Sequence, residues 1–379
     1  MDLAVKKKVL FVIDTLQTGG AEQSLLENTT RFKSIQPVVC HLYKGELLKP
    51  RFLESGIPVY SAGIQKKYGF SEAIKRLREI VQQEKPDLLV AYLTRSEIVT
   101  RRVGKHFGIP VIGTFVSDLY SKTYNAGLSF KARLAVTVFK FLNRQTGKYC
   151  KGFIANSNAI KESNASQLGV PLSKIEVINR GRDSKIFKFH SPKVTPGKPI
   201  HFLNIGRLVP VKGQVDLVRA FNNYLAVSPD ALLHIVGEGP ARAELTALIK
   251  ELALEDKVQL LGSRSDIPQI IHNYDCFVFP SYSEGFSGSV IESMLSGLPV
   301  LASDIPVNKE AVAHMKTGYL FKKGSVEGIT EALLWFKDNR EKANQLAGKA
   351  YLYAIDNFEQ EKIVSKLENY LLKMINGKK

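Results

Sequence analysis

Both halves of this chain alternate short apolar runs with stretches of helical period, and that rhythm restricts the fold more than any other feature. In the first half the runs are Val9 to Ile13, Val38 to Leu42, Leu88 to Tyr92, Val111 to Thr114, Gly152 to Asn156 and Ile175 to Ile178. In the second half they are His201 to Ile205, Leu232 to Val236, Val258 to Leu261, Cys276 to Phe279 and Val300 to Ala302, with Gly318 to Phe321 as an edge. Apolar runs this short, spaced by helical segments, read as parallel strands joined by crossover helices. The class is therefore α/β, with a doubly wound, Rossmann-like sheet in each half. A chain of 379 residues is also long enough to divide into two domains. His190 to Pro199, polar and proline-bearing, can continue neither a helix nor a central strand, so it marks the boundary. This predicts domains over 1–193 and 194–355. Residues 356–379 add a helix with its stripe at Ile363, Leu367, Tyr370, Leu371 and Met374.

Charge is concentrated at one end. Residues 1–190 hold 31 Lys+Arg against 15 Asp+Glu, a net +16 of the chain's +17. Such a potential implies an acidic partner, either anionic lipid or nucleic acid. No nucleic-acid motif or aromatic platform accompanies the charge, which disfavours the second. The segment Leu128 to Lys151 mixes Leu, Phe and Val with Lys131, Arg133, Lys140, Arg144, Lys148 and Lys151. It suits either a helix lying in a membrane interface or a core-facing helix with a solvated face. No apolar run is long enough to span a bilayer. Lys6, Lys7 and Lys8 precede a first strand and not a cleavable signal. Cys40, Cys150 and Cys276 are too few and too dispersed for a disulfide framework or a zinc site, which fits a reducing cytoplasm.

The stretch Phe277 to Asp304 carries the most chemistry. A strand delivers Ser281 to Glu284 into the loop Gly285, Phe286, Ser287, Gly288, after which a helix begins that carries Ser289 and Glu292. Small residues let a ligand approach the backbone, and amides at a helix start attract phosphate. Glu284, before the turn, and Glu292, in the first helical turn, have no cation within this stretch, leaving both to accept hydrogen bonds from hydroxyls. Phosphate between hydroxyl acceptors suggests a nucleotide sugar. A second reading stays open, because Ser289 and Glu292 also fit the S-x-x-E capping box.

Three further loops follow strands. Gly206, Arg207 and Leu208, then Lys212 and Gly213, place two cations at the sheet's carboxyl edge, where α/β folds bind ligands. A guanidinium and an ammonium there suit a diphosphate. Gly237, Glu238, Gly239 and Pro240 form a glycine turn that lacks the third glycine of a dinucleotide fingerprint. In the first half, Gly19 and Gly20 open the first helix, as a phosphate or hydroxyl contact or as a simple turn.

Together, Glu284-x7-Glu292, Gly297 to Val300 and Gly206-Arg207-Leu208-x3-Lys212-Gly213 resemble the retaining GT-B glycosyltransferases of the group 1 / family 4 type. The resemblance implies two Rossmann-like domains facing a cleft, with acceptor binding in the first, and a final helix that returns to that first domain. It implies Arg207 and Lys212 as the clamp on a leaving diphosphate, with Glu284 orienting the sugar and Glu292 the ribose. Gly206, Gly237, Glu238, Arg264, Gly285, Phe286, Ser287, Gly288 and Ser289 would line the donor, with Gly19 and Gly20 across the cleft. The donor would be a UDP-sugar, with no other cofactor and no metal. The acceptor would be a lipid-linked glycan of capsule, O-antigen or similar synthesis, and the enzyme would sit peripherally on the inner membrane face. One feature departs from the pattern: many relatives place a histidine after the fourth strand, where Phe115 and Val116 stand here. The alternatives are a GT-B-like nucleotide-sugar epimerase, for which acid and base groups are missing, and a basic nucleic-acid binder.

Overall fold

The computed structural model describes residues 6–66, 68–126, 128–191 and 198–377. The chain divides into two compact units, Met1–Gly181 with Gln360–Lys379, and Arg182–Glu359. The first contains a seven-stranded sheet of β1 (Lys7–Ile13), β2 (Ile35–Tyr43), β3 (Val59–Ile64), β4 (Leu88–Ala91), β5 (Val111–Phe115), β6 (Gly152–Ala155) and β7 (Ile175–Val177). Its order is β3-β2-β1-β4-β5-β6-β7, and every pairing is parallel. The second contains a six-stranded parallel sheet of β8 (His201–Ile205), β9 (Leu232–Val236), β10 (Val258–Gly262), β11 (Cys276–Phe279), β12 (Val300–Ser303) and β13 (Tyr319–Phe321), ordered β10-β9-β8-β11-β12-β13. Both sheets are doubly wound, as the alternation predicts. The direction of winding reverses between β1 and β4 in one, and between β8 and β11 in the other.

Central strands here are buried on both faces, so they read as continuous apolar runs. Phe11, Val39 and Val90 lie within the first core, and Phe202, Ile235 and Val278 within the second. β3 is the strand that the apolar-run reading misses. It is an edge strand, VYSAGI, with Ser61 and Gly63 exposed, and so it never forms an unbroken run.

The division comes at Arg182, ahead of the proline-bearing stretch, whose residues 192–197 lie outside the described residues. Packing explains the position. Phe189 lies against Tyr351 with ring centroids 4.6 Å apart, and the His190 N–H donates to the Ser296 carbonyl at 3.2 Å. At the other end, the helix Arg340–Phe358 stops at Glu359, whose ψ of 131° is extended, and a new helix runs over Gln360–Asn376. Ile363, Leu367 and Leu371 of that helix join the first core. Its buried Glu368 accepts backbone N–H bonds from Lys33, Ser34 and Ile35 at 2.9, 2.6 and 2.9 Å. Three amides converging on one carboxylate fix the helix in register. Among the described residues, no helix is long and apolar enough to cross a membrane.

A buried charge sits behind the first sheet. Glu97 and Arg101, one turn apart in the helix Thr94–Phe107, pair at 3.1 Å with no more than 7% of either side chain exposed. Arg101 also donates to the Asn143 side-chain carbonyl at 2.7 Å and to the Cys150 sulfur at 3.2 Å. Burial pushes the Glu97 carboxyl up to about 7, against the pull of Arg101. A carboxyl raised on folding contributes stability that is full below its unfolded value, near 4.5, and is lost as pH rises through the folded one. The buried Asp14 and Glu22 are shifted in the same direction. The contribution of these carboxyls to unfolding free energy should therefore fall as pH rises from about 4.5 to 7, and Glu97→Gln should remove on the order of 3 kcal/mol of that fall in urea titrations at stepped pH.

Candidate active site

In doubly wound sheets, ligands bind where the strand order reverses, beyond the carboxyl ends. In the second unit that point lies between β8 and β11, and both sequence motifs leave from it. After β8 the chain passes Gly206, Arg207 and Leu208, then makes a 3₁₀ turn at Pro210–Lys212. Gly213 follows with φ of 69°, and a Cβ there would stand 2.3 Å from the Pro280 carbonyl oxygen. Only glycine allows the two loops to come so close. The Tyr282 N–H then donates to the Val211 carbonyl at 2.8 Å. This contact brings the Lys212 ammonium to within 2.5 Å of Glu284, with 22% and 10% of the two side chains exposed.

The two carboxylates are not free of cations, as the local sequence suggested. Lys212 reaches Glu284 from the β8 loop, and Arg182 reaches Glu292 at 2.6 Å from the start of this unit. Both partners lie far away in sequence, beyond the view of a reading confined to Phe277–Asp304. Gly288 provides the room, since a Cβ on it would stand 2.1 Å from the Arg182 guanidinium. Glu292 also sits deeper than the first turn. The helix runs Gly288–Leu295, and Ser287 caps it by accepting from the Val290 N–H at 3.5 Å. That leaves Glu292 at the fifth position, so the Ser289–Glu292 capping box does not form. Ser289 instead donates to the Ile205 carbonyl at 3.3 Å, tying the helix start to the end of β8.

Phe286 is 2% exposed and meets the Phe358 ring edge-on at 5.2 Å, so its side chain is taken up in packing. Arg207 is exposed, and its guanidinium has no partner among the described residues. Gly237, at φ 143°, has the Gly206 carbonyl oxygen 2.0 Å from its would-be Cβ. Its glycine is thus required by loop-on-loop packing. Glu238 pairs with Arg242 at 2.8 Å, and Arg264 grips Asp266 at 2.8 and 2.5 Å, all at the surface beyond β9 and β10. Exposed pairs of this kind are weak and readily exchanged.

The first unit has its own reversal point, between β1 and β4. Asp14, at the end of β1, accepts from Arg95 at 2.9 Å and from the Ser96 N–H at 2.8 Å. Burial raises the Asp14 carboxyl, and Arg95 partly offsets the rise. Gly19 and Gly20 open the next helix, crowded by the Glu22 carboxylate and the Arg180 guanidinium, 2.5 and 3.0 Å from their would-be Cβ positions. Phe115 is buried and stacked on Phe153 at 4.7 Å, and His106 is exposed. Asp118 accepts from the Ser163 hydroxyl at 2.5 Å, tying the loop after β5 to the helix Asn158–Leu168.

Two family models cover most of the chain in succession, Glycosyltransferase Family 4 over residues 18–185 and Glycosyl transferases group 1 over residues 185–353. The chain belongs to the group 1 / family 4 GT-B glycosyltransferases. It is 25% identical over 316 residues to the UDP-Gal:alpha-D-GlcNAc-diphosphoundecaprenol alpha-1,3-galactosyltransferase of Escherichia coli, 80% of this chain and 79% of that relative. It is 29% identical over 169 residues to the N-acetyl-alpha-D-glucosaminyl L-malate synthase of Bacillus anthracis, a match spanning 45% of this chain and 43% of that enzyme. Among solved structures, Anabaena Alr3699/HepE in complex with UDP-glucose superposes with a TM-score of 0.81 at 22% identity, covering 97% of this chain and 99% of that one. The sucrose-phosphate synthase of Thermosynechococcus elongatus does so with a TM-score of 0.82 at 17% identity, covering 98% and 100%. These likenesses establish the fold.

In this glycosyltransferase the residue that motif reading missed is Arg182. Its only local signal was a basic pair, Arg180 and Arg182, flanking Gly181. Replacing it with leucine leaves Glu292, only 14% exposed, without that guanidinium. Breaking one side of such a pair costs about 3 kcal/mol, so Arg182→Leu should lower the unfolding free energy of the second unit by about that much in urea titration.

Proposed function

We propose that this glycosyltransferase moves a sugar from a UDP-sugar to a hydroxyl of a lipid-linked glycan, with retention of anomeric configuration, in envelope polysaccharide synthesis. The observation that carries the reading is the union at one strand-order reversal of Arg207, Lys212, Glu284 and a helix start capped by Ser287. In this reading the diphosphate lies over the β8 loop and the Gly288 helix start, where Arg207 and Lys212 neutralise the charge that builds as it departs. Lys212 has three N–H donors and gives one to Glu284, so it can hold carboxylate and phosphate together. Glu284 is then steadied by Lys212 while its remaining lone pairs accept from the sugar's hydroxyls. Glu292, fixed by Arg182, accepts from the ribose.

The acceptor oxygen bonds to the anomeric carbon on the face from which the diphosphate leaves. The bond from that carbon to the β-phosphate oxygen breaks, and the acceptor's proton passes to that oxygen. No protein nucleophile takes part, so Phe115 and Val116 in place of a histidine are compatible with the route. Arg207 and Lys212 supply positive charge that a divalent ion would otherwise bring. The UDP-sugar named for the Escherichia coli relative, and the UDP and UDP-glucose in the Anabaena structures, support uracil as the base. The undecaprenol-linked acceptor in that relative's name supports a lipid carrier.

Arg207→Ala should lower kcat at least about 100-fold in a donor-hydrolysis or transfer assay. Because Arg207 is exposed, the variant's unfolding free energy should stay within about 0.5 kcal/mol of the parent's. Near-normal turnover would remove the leaving-group role. Thermal-shift screening should show stabilisation by UDP and UDP-sugars above that by GDP or ADP counterparts, and turnover should persist in EDTA.

A further inference from the structure

The helix Phe130–Gly147 presents two apolar faces, whereas a helix covering a core needs one. The inner face is satisfied within its own unit. Asn143, Thr146 and Gly147 are buried, and Phe139 packs on the rings of Tyr68 and Phe70, with centroids 5.9 and 6.4 Å away. On the other side Phe130, Leu134, Val138 and Phe141 are 81%, 58%, 50% and 60% exposed. Their spacing of four, four and three residues aligns them in one stripe, at about 100° of turn per residue, with Phe139 on the far side. Four large apolar side chains in one row form a contiguous patch, unlike the scattered exposed residues of an ordinary surface.

Cations border the stripe. Arg133 and Arg144 run along one side, Lys131 along the other, and Lys148 stands just past the end, all four exposed. From Leu119 to Lys161 the sequence has eight Lys and Arg and no Asp or Glu over 43 residues. We infer that this face docks on a lipid bilayer bearing anionic headgroups. The four apolar side chains enter the boundary between headgroups and acyl chains, and the bordering cations meet lipid phosphates. A second copy of this chain is a poor occupant, because self-pairing would set each row of cations against its own kind within a Debye length. The inference rests on the proposed lipid-linked acceptor for its purpose, since a surface-held enzyme meets such an acceptor in two dimensions. Its test needs neither donor nor acceptor.

The full chain is sedimented with vesicles of phosphatidylcholine alone and of phosphatidylcholine mixed with phosphatidylglycerol, at about 0.15 M salt. Binding should be at least about tenfold greater on the mixed vesicles. The double substitution Phe130→Ser with Phe141→Ser should lower it about tenfold, and Lys131→Glu with Lys148→Glu should abolish the preference for anionic lipid. All four side chains are exposed, so circular dichroism and melting temperature should match the parent. A parent chain that stays in the supernatant, or binds both vesicles equally, overturns the inference whatever the variants do. So does a Phe130/Phe141 variant that binds like the parent, or light scattering that shows a dimer which those two serines dissociate. If vesicle binding fails while UDP still raises the melting temperature, the surface is lost and the transferase reading survives; the reverse result separates them the other way.

Discussion

The close approach of Gly213 to the Pro280 carbonyl is the contact on which the candidate site depends. It fastens the loop after β8 to the loop after β11 across the point where the strand order reverses. Without it, Lys212 and Glu284 would belong to independent surface loops. With it, an ammonium and a carboxylate 72 residues apart share one hydrogen bond, and the helix start at Gly288 lies beside them. A side chain at position 213 would force those loops apart by its first carbon alone. The chemistry is therefore set by backbone geometry before any charged group is considered.

The same principle recurs around the edge of this sheet. Gly237 and Gly239 let the β9 loop lie on the carbonyls of Gly206 and Leu208, and Gly288 lets Arg182 cross the helix start. Sequence reading gave Gly288 to a phosphate because a bare backbone suits one, gave Gly237 to the donor by resemblance, and took Gly239 only as part of a glycine turn. The structure gives each a protein neighbour within the van der Waals distance of a methyl group. The two roles are compatible, since a loop pressed against its neighbour is also one whose amides cannot move away from an anion.

Much of the fold was legible because buried parallel strands leave unbroken apolar runs. β3 escaped since an edge strand with Ser61 and Gly63 outward leaves none. The site was legible as far as its motifs are local: Glu284, Glu292, Arg207 and Lys212 all follow strands that converge on the reversal point. What spacing could not give was the pairing. Arg182 reaches Glu292 across 110 residues, and no periodicity encodes that distance. Nor could sequence tell which Ser begins the helix, because Ser287 and Ser289 both suit a cap and the choice rests on loop geometry.

The helix Gln360–Asn376 has a consequence for the order of assembly. The second unit is one continuous piece of chain, whereas the first is interrupted and borrows Ile363, Leu367 and Leu371 from beyond it. During synthesis the second unit can complete its core while the first, begun earlier, still lacks three aliphatic side chains and the carboxylate that receives the amides of Lys33, Ser34 and Ile35. Of the two units, the one that emerges earlier from the ribosome is thus the later to close.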